Sequence, residues 1–451
     1  CRQKGISTIT TVEKTGLIID GNALYYSLYY TSDPKLDQRC GGDYPRFKHE
    51  VCKFFKTLQD CEVNPYVILD GGSGPEKHEK ILSRLKNKLK KAKTVAETEP
   101  DGTLPKAYNV LPPLVKDVFI ETLREKGIEF KVCLGEADPE VVSEANQKQC
   151  AVLSIDKDFY IFDWKKEEDG KIPAKIYTRS KFVEHFKLDP ALMPVFASIA
   201  GNDYSRLEDN GAFAKESSSP GEYSIKRLDG MLGFLSKVNL DGLDDSQKRE
   251  RALSKALNHV GKKQNQTFKL AIEKYVKPEK TSSKLPPWVC EKVERGELTT
   301  FVTSVVDWKT ILLTPLVENF SQRSSYTAAY RIRQYFYGLL TEGVITEYGR
   351  DGEEIKDYCV PSIRDEQKKL KLKDLHKVLR LIIKYRLRRR VFEEALQVQT
   401  SDLENIPNQL KLPVCVTVFW FKKLQHHPKP ETINCLHALL LWFVCEPDGP
   451  G

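Results

Sequence analysis

The sequence predicts an α/β domain, a mostly parallel sheet flanked by helices, followed by a mainly α-helical region. Two observations carry this. Over residues 16–203 short apolar runs alternate with amphipathic stretches, and after residue 203 helical periodicity takes over. Continuous apolar strands separated by helices are the pattern of a parallel sheet covered on both faces.

The strand candidates are Gly16–Ile19, Tyr66–Leu69, Phe130–Leu134 and Ala151–Ile155. Between them Ala23–Tyr30, Phe47–Leu58, Pro112–Lys126 and Glu136–Gln147 read as helices. In the second of these, Val51, Phe54, Phe55 and Leu58 recur at helical spacing on one face. Residues 206–224, rich in Gly, Ser, Glu and Asp, read as a linker. Beyond it Leu228–Lys237, Arg249–His259, Thr267–Tyr275 and Leu370–Leu396 read as helices, with Pro- and Ser-rich breaks at Lys277–Pro287 and Asn405–Pro413. The expected division is residues 1–205, a linker over 206–224, and a mainly helical 225–451.

A length of 451 residues suits two or three domains. Hydrophobic residues make up 40% and charged ones 30%, the balance of a soluble globular protein. The net charge of +8 permits a polyanionic partner without requiring one. No run approaches the roughly 20 apolar residues that cross a bilayer. Leu436–Cys445 is half that length and reads as a buried helix. The 11 cysteines include no C-x-x-C pair, which excludes ordinary zinc spacing and suggests free thiols in a reducing compartment. Asn265 and Asn319 begin glycosylation sequons, but no signal peptide precedes them. The chain starts at Cys1 and stops after Pro450-Gly451, as a fragment of a longer chain would.

Every strand candidate ends in an acid. Ile19 runs into Asp20-Gly21 and Leu69 into Asp70-Gly71. Glu136 and Asp138 follow the third run, Asp156 and Asp158 the fourth, and Asp203 follows the apolar helix Met193–Ala200. A single Asp after a strand is usually a helix cap or turn residue. In a parallel sheet, however, the strand ends share one edge, where ligands bind. Seven carboxylates in one cleft repel one another and raise each other's pKa, and divalent cations remove that penalty. An all-oxygen set favours Mg²⁺ or Mn²⁺ over zinc. Two such ions can activate water and stabilise the leaving oxygen in phosphodiester cleavage.

The segments Ile18-Ile19-Asp20-Gly21, Leu69-Asp70-Gly71, Gly135-Glu136-Ala137-Asp138, Ser154-Ile155-Asp156-Lys157-Asp158 and Gly201-Asn202-Asp203-Tyr204 resemble the metal-ligand motifs of the flap-endonuclease superfamily. Gly41-Gly42-Asp43-Tyr44, Pro65–Gly72, Leu285-Pro286-Pro287-Trp288-Val289 and Leu410-Lys411-Leu412-Pro413-Val414 further resemble the asteroid subfamily. The first resemblance covers about residues 16–204, the second most of the chain. It implies a PIN-like nuclease fold and structure-selective cleavage of DNA, in single strands or overhangs. The implied ligands of two Mg²⁺ or Mn²⁺ ions are Asp20, Asp70, Glu136, Asp138, Asp156, Asp158 and Asp203. A role in DNA repair and a nuclear location follow from the substrate class alone. Three departures stand out. The superfamily's Met-Gly-Ile-x-Gly-Leu start is absent, Asp138 stands where many relatives have Glu, and Ser205–Gly221 lacks the Gly-rich helix–hairpin–helix pattern that grips duplex DNA.

Residues 76–97 read as a basic amphipathic helix with an apolar stripe at Ile81, Leu82, Leu85 and Leu89. Taken alone it is a solvated surface helix. In the superfamily the stretch resembles the helical arch through which a single strand passes. Lys77 and Arg84 fall at the spacing of bases that contact the scissile phosphate, with Lys88 and Lys91 further along. Tyr25 and Tyr26 follow Asp20; core packing is the ordinary reading, and an exposed one, assigned to Tyr26, could stack on a terminal base. A second basic run, Lys384–Arg390, is either a solvated face, a nucleic-acid patch or an import signal.

Two other functions compete. A nuclease fold kept as a nucleic-acid-binding or protein-interaction scaffold would usually have lost ligands, and none is lost here. A phosphatase using Asp156-x-Asp158 would need that pair on the first strand, whereas here it follows three other acidic strand ends.

Overall fold

The chain enters through strand β1 (Thr8–Val12) and crosses the middle of the fold as β2 (Gly16–Asp20). Strands β2, β3 (Asn64–Leu69), β4 (Glu129–Val132) and β5 (Ala151–Leu153) form a parallel sheet in the order β4–β3–β2–β5. Ile19 stands opposite Val67 and Leu153, and Val67 opposite Phe130, so the four carboxyl ends share one edge. The chain builds outward from β2 to β4 and then returns to the far side of β2, a reversal of the kind that opens a ligand crevice at that edge. β1 pairs antiparallel with β6 (Ile172–Ile176) in a separate two-stranded sheet.

The structure, a computed structural model, describes residues 8–39, 41–99, 109–154, 172–202, 204–205, 207–208, 211–215, 217, 222–262, 266–277, 281–363, 393–424 and 427–445. It divides into two compact units, Cys1–Thr303 and Ser304–Gly451.

In the first unit, α1 (Gly21–Thr31), α2 (Tyr44–Asp60), α3 (His78–Glu97), α4 (Val115–Glu125) and α5 (Asp138–Lys148) connect the strands. Alternation along each strand sorts the side chains between two faces. Leu17, Ile19, Val67 and Leu69 pack with Tyr29, Phe47, Phe55 and Phe119 of α1, α2 and α4. Ile18 and Ile68 face the other way, onto Cys133, Ala137 and Val141 beside α5. Both faces are therefore apolar, which is why these strands read as unbroken hydrophobic runs.

The chain continues as α6 (Arg179–Phe186), α7 (Met193–Ala200), α8 (Ala212–Lys215), α9 (Tyr223–Ser236), α10 (Asp245–His259) and α11 (Gln266–Val276), which share a second core. Within the stretch expected as a linker, Leu207 and Phe213 are buried in that core. A Cβ on Gly230 of α9 would lie 1.8 Å from the Phe213 carbonyl oxygen, so α8 and α9 meet backbone to backbone. The chain then returns to the sheet. Pro287 opens α12 (Pro287–Glu294) beside the edge strand β4, where Lys131 bridges Glu140 at 3.3 Å and Glu294 at 3.4 Å. The short α13 (Phe301–Thr303) ends the unit.

The second unit holds an element that periodicity did not anticipate. β7 (Thr310–Leu312), β8 (Val344–Asp351) and β9 (Glu354–Pro361) form a sheet in the order β7–β8–β9, against α14 (Tyr330–Leu340). Gly352, at φ 57, makes the β8–β9 turn with Glu353. The inward positions of β8 include charged groups, which a hydrophobic pattern scores as surface. Glu347 is buried because Arg333 grips it with two bonds of 2.6 and 2.8 Å and Tyr337 donates a third. Arg350 is buried against Glu318 at 2.7 Å.

A helix over Asn408–Lys423 replaces the break expected at Asn405–Pro413, with Pro413 inside it. Proline removes one helical hydrogen bond. Here Cys415 and Phe419 are buried against Leu396, Val398 and Leu403, and that packing holds the turn together. The apolar run 436–445 lies in the helix Pro430–Cys445. Most of the expected helix Leu370–Leu396, and all of Lys384–Arg390, lie outside the described residues. No helix among the described residues is long and apolar enough to cross a membrane.

Burial of Leu207 and Phe213 gives the described part of 206–224 a place in the core. Phe213→Ala should cost about 3–5 kcal/mol in urea unfolding. A loss below about 0.5 kcal/mol, typical of exposed positions, would contradict its place in the core.

Candidate active site

The shared sheet edge is built by close backbone approach. A Cβ on Gly71 would fall 1.9 Å from the Cys133 carbonyl oxygen, and Gly71 N donates to Gly135 O at 2.7 Å. A Cβ on Gly21 would meet Val67 and Leu69 at 2.7–2.8 Å. Glycine at these points lets the loops after β3 and β4 run side by side and seats α1 against β3.

Asp20 ends β2 and caps α1, accepting from Ala23 N at 3.0 Å; its second oxygen accepts from Ser154 Oγ at 2.7 Å. Cap and cleft residue are thus one side chain. Asp70 Oδ1 accepts from Ala137 N at 2.8 Å, and Asn22 Oδ1 accepts from Asp70 N at 3.1 Å. Lys116, half-buried on α4, donates Nζ to the Asp70 carbonyl at 2.5 Å. Glu136 binds Lys77 Nζ at 2.6 Å through one oxygen and the Tyr204 hydroxyl at 2.9 Å through the other. Lys77 also lies 4.8 Å from the centre of the Tyr204 ring.

Electrostatics mark these acids as a group. Burial, then the charge of Asp20, raises the Asp70 pKa against the pull of Ala137 N–H, Lys116 and Lys77. Asp138, first residue of α5, is pushed up to about 7 by burial, then by Asp70, with Glu136 and Asp20 adding to it. Burial also lowers Lys116.

Asp20, Asp70, Glu136 and Asp138 line one cleft of about 780 Å³. Its opposite wall is α3 with its N-cap residue Lys77, the helix presenting Ile81, Arg84, Asn87, Lys88 and Lys91 on one face. Leu85 and Leu89 are buried on the other face, while Ile81, expected in the apolar stripe, lines the cleft. Lys80 ties the start of the helix to the Asn202 carbonyl at 2.9 Å. Burial pushes the Lys88 ammonium down to about 8. Tyr26 is 42% exposed at the cleft, packed edge-on against Tyr30 at 4.5 Å, whereas Tyr25 is 8% exposed and abuts Phe119.

Asp156, Asp158 and Asp203 lie outside the described residues. Among the described residues no group of three or more acids, histidines or cysteines is arranged to hold an ion. The donor chemistry nevertheless fits a hard divalent cation: four carboxylates, no sulfur or imidazole, and raised pKa values at Asp70 and Asp138 that a nearby cation would relieve. Sequence reasoning gave no role to Ser154, Asn22, Lys116, Tyr30 or Tyr204. Ser154 and Tyr204 sit inside quoted motifs; Lys116 had no signal, being one charge on an otherwise ordinary amphipathic helix.

Comparison with known proteins places the chain. The Drosophila melanogaster protein asteroid is 36% identical over 168 residues, 37% of this chain and 19% of that protein. The Homo sapiens protein named single-strand DNA endonuclease ASTE1 is 30% identical across 96% of this chain and 69% of its own length. The chain belongs to the asteroid family. A solved structure of the catalytic core of Rad2 in complex with DNA substrate is 15% identical, with a TM-score of 0.37 over 68% of this chain and 96% of that one. No family model matches the chain. The segments that resemble the asteroid family do structural work here. In Gly41–Tyr44, Asp43 caps α2 and the Tyr44 hydroxyl donates to Gly41 O at 2.7 Å while accepting from Leu114 N at 3.2 Å. Leu285, Val289 and Val293 are the buried side chains at the start and inner face of α12.

Asp138 gives the cleft a pH signature. Its folded-state pKa of about 7 lies above the ordinary 3.8, so its contribution to stability is full below the ordinary value and is lost as pH rises through about 7. A divalent cation binds the ionised form. The rise in melting temperature produced by Mn²⁺ should therefore grow as pH is raised through about 7. Asp138→Asn should raise the melting temperature of the protein in EDTA and remove most of the Mn²⁺ effect. Melting curves across pH check this; a Mn²⁺ shift insensitive to both pH and the substitution contradicts it.

Proposed function

We propose that the chain is a divalent-metal-dependent endonuclease that hydrolyses phosphodiester bonds in single-stranded or overhang DNA. The observation that carries this is one cleft with carboxylates on one wall, Asp20, Asp70, Glu136 and Asp138, and cations on the other, Lys77, Arg84, Lys88 and Lys91. Carboxylates alone would suit many metal reactions. A facing row of cations selects a polyanionic substrate, and the name of the human relative, a single-strand DNA endonuclease, agrees. Residues 1–205 are the proposed nuclease region, with nuclear DNA repair as its setting.

Asp20, Asp70, Glu136 and Asp138, with Asp156, Asp158 and Asp203, would hold two Mg²⁺ or Mn²⁺ ions. When bound, these ions supply an activated water and charge stabilisation at the leaving oxygen. The chain's own residues prepare the geometry. Ala137 N–H and Lys116 fix Asp70, and Ser154 fixes Asp20, so that the acids are aimed before substrate arrives. Lys77 balances Glu136 in the absence of substrate. With a strand in place, Lys77 and Arg84 would bind the scissile phosphate, and Glu136, released from Lys77, would be available to hold an ion. Lys88 and Lys91 hold the backbone further along α3, and Tyr26 offers its exposed face to a base.

Cleavage of labelled single-stranded, overhang, flap and duplex DNA tests the proposal. Wild type should cut with Mg²⁺ or Mn²⁺ and not in EDTA, and Asp156→Asn or Asp158→Asn should abolish cutting while the protein still folds. Lys77→Gln should lower turnover by about 100- to 1,000-fold, the usual cost of removing a group that stabilises transition-state charge. DNA binding without any cutting by wild type would instead assign a scaffold.

A further inference from the structure

A second groove, of about 700 Å³, runs between α10 and α11. Arg249, Lys269, Lys274 and Lys277 line it, against Glu250 and Glu273, and Glu250 is already paired with Lys269 at 3.3 Å. The surplus of positive charge extends beyond the groove: residues 245–277 contain nine lysines and arginines against three acids. Charge of one sign concentrated on one pair of helices is an electrostatic footprint for a polyanion.

Tyr204 stands between a lysine of the cleft and a lysine of the groove. Lys274 Nζ lies 5.9 Å from the centre of the Tyr204 ring, the ring that Lys77 approaches at 4.8 Å and whose hydroxyl binds Glu136.

The linings of the two sites differ in a way that sorts their occupants. Tyr25, Tyr26 and Tyr30 line the cleft, whereas among the described residues the groove is lined by aliphatic and charged groups and Ser246, with no aromatic ring. Sites for unpaired strands combine cations with rings on which bases stack. Cations over Leu253, Leu270 and Ile272 offer phosphates a seat and bases nothing. That suits a strand whose bases are turned away, paired in a duplex.

We propose that the α10–α11 groove holds the sugar–phosphate backbone of the double-stranded part of a DNA whose single-stranded part enters the cleft. The proposal rests on the nuclease reading of the cleft and gives the chain a duplex grip that does not use a Gly-rich hairpin. Arg249, Lys269 and Lys277 make the contacts.

The test is fluorescence anisotropy of the full chain in EDTA. It compares a short single strand with the same strand extending from a duplex, for wild type and Arg249→Gln/Lys269→Gln/Lys277→Gln. The triple variant should bind the duplex-bearing DNA about tenfold or more weakly, with its log–log salt slope flatter by about 2 to 3, and the short single strand as wild type does. If the triple variant melts below wild type, Lys269→Gln and Lys277→Gln singly should each flatten the slope by about 1. Equal losses on both DNAs by a folded variant, or no loss on either, overturn the proposal. A wild type that binds neither DNA overturns the nuclease reading as well, and so is distinguished from failure of the groove alone.

Discussion

Carboxylates gathered in a partly dry cleft repel one another, and the balancing of that charge governs how the first unit is built. At an effective dielectric near 20, two unit charges about 4 Å apart interact by roughly 4 kcal/mol, a large share of a domain's net stability. Here burial first, and then that repulsion, raises the pKa values of Asp70 and Asp138. The chain offsets part of it internally, with the Ala137 amide on Asp70, the half-buried Lys116 on the Asp70 carbonyl, and Lys77 across from Glu136. What these groups leave unbalanced is what a divalent cation, on the proposed reading, would neutralise.

The same constraint explains the glycines. Acids from three separate chain segments converge only if their loops approach backbone to backbone, and at Gly71 there is no space for even a methyl group. It also explains why α3 is basic on one face. A helix laid over an acidic sheet edge is held there by Lys77 on Glu136 and Lys80 on the Asn202 carbonyl. The next bases along that face remain directed into the cleft. Lys77 of the cleft and Lys274 of α11 both approach the Tyr204 ring, at 4.8 and 5.9 Å.

The sheet was legible from the sequence because its strands are apolar on both faces and its acids follow them directly. All four strand candidates and the helices between them fall where periodicity put them, to within a few residues at their ends. The second unit's sheet was not legible, because Glu347 and Arg350 occupy inward positions that only their ion pairs with Arg333 and Glu318 make tolerable. Pro413 misled for a related reason: its local cost is real, and the burial of Cys415 and Phe419 outweighs it. At the cleft, the acids and the α3 bases were visible as residue types at telling positions. Lys116 and Asn22 were not, since their roles come from contacts across 46 and 48 residues of sequence that no local pattern encodes.

The central claim is that the strand-end carboxylates form one cation site, and Mn²⁺ anomalous scattering from crystals of the full chain tests it most directly. The account predicts two Mn²⁺ peaks in the cleft among Asp20, Asp70, Glu136 and Asp138. An empty cleft at saturating Mn²⁺ would contradict it.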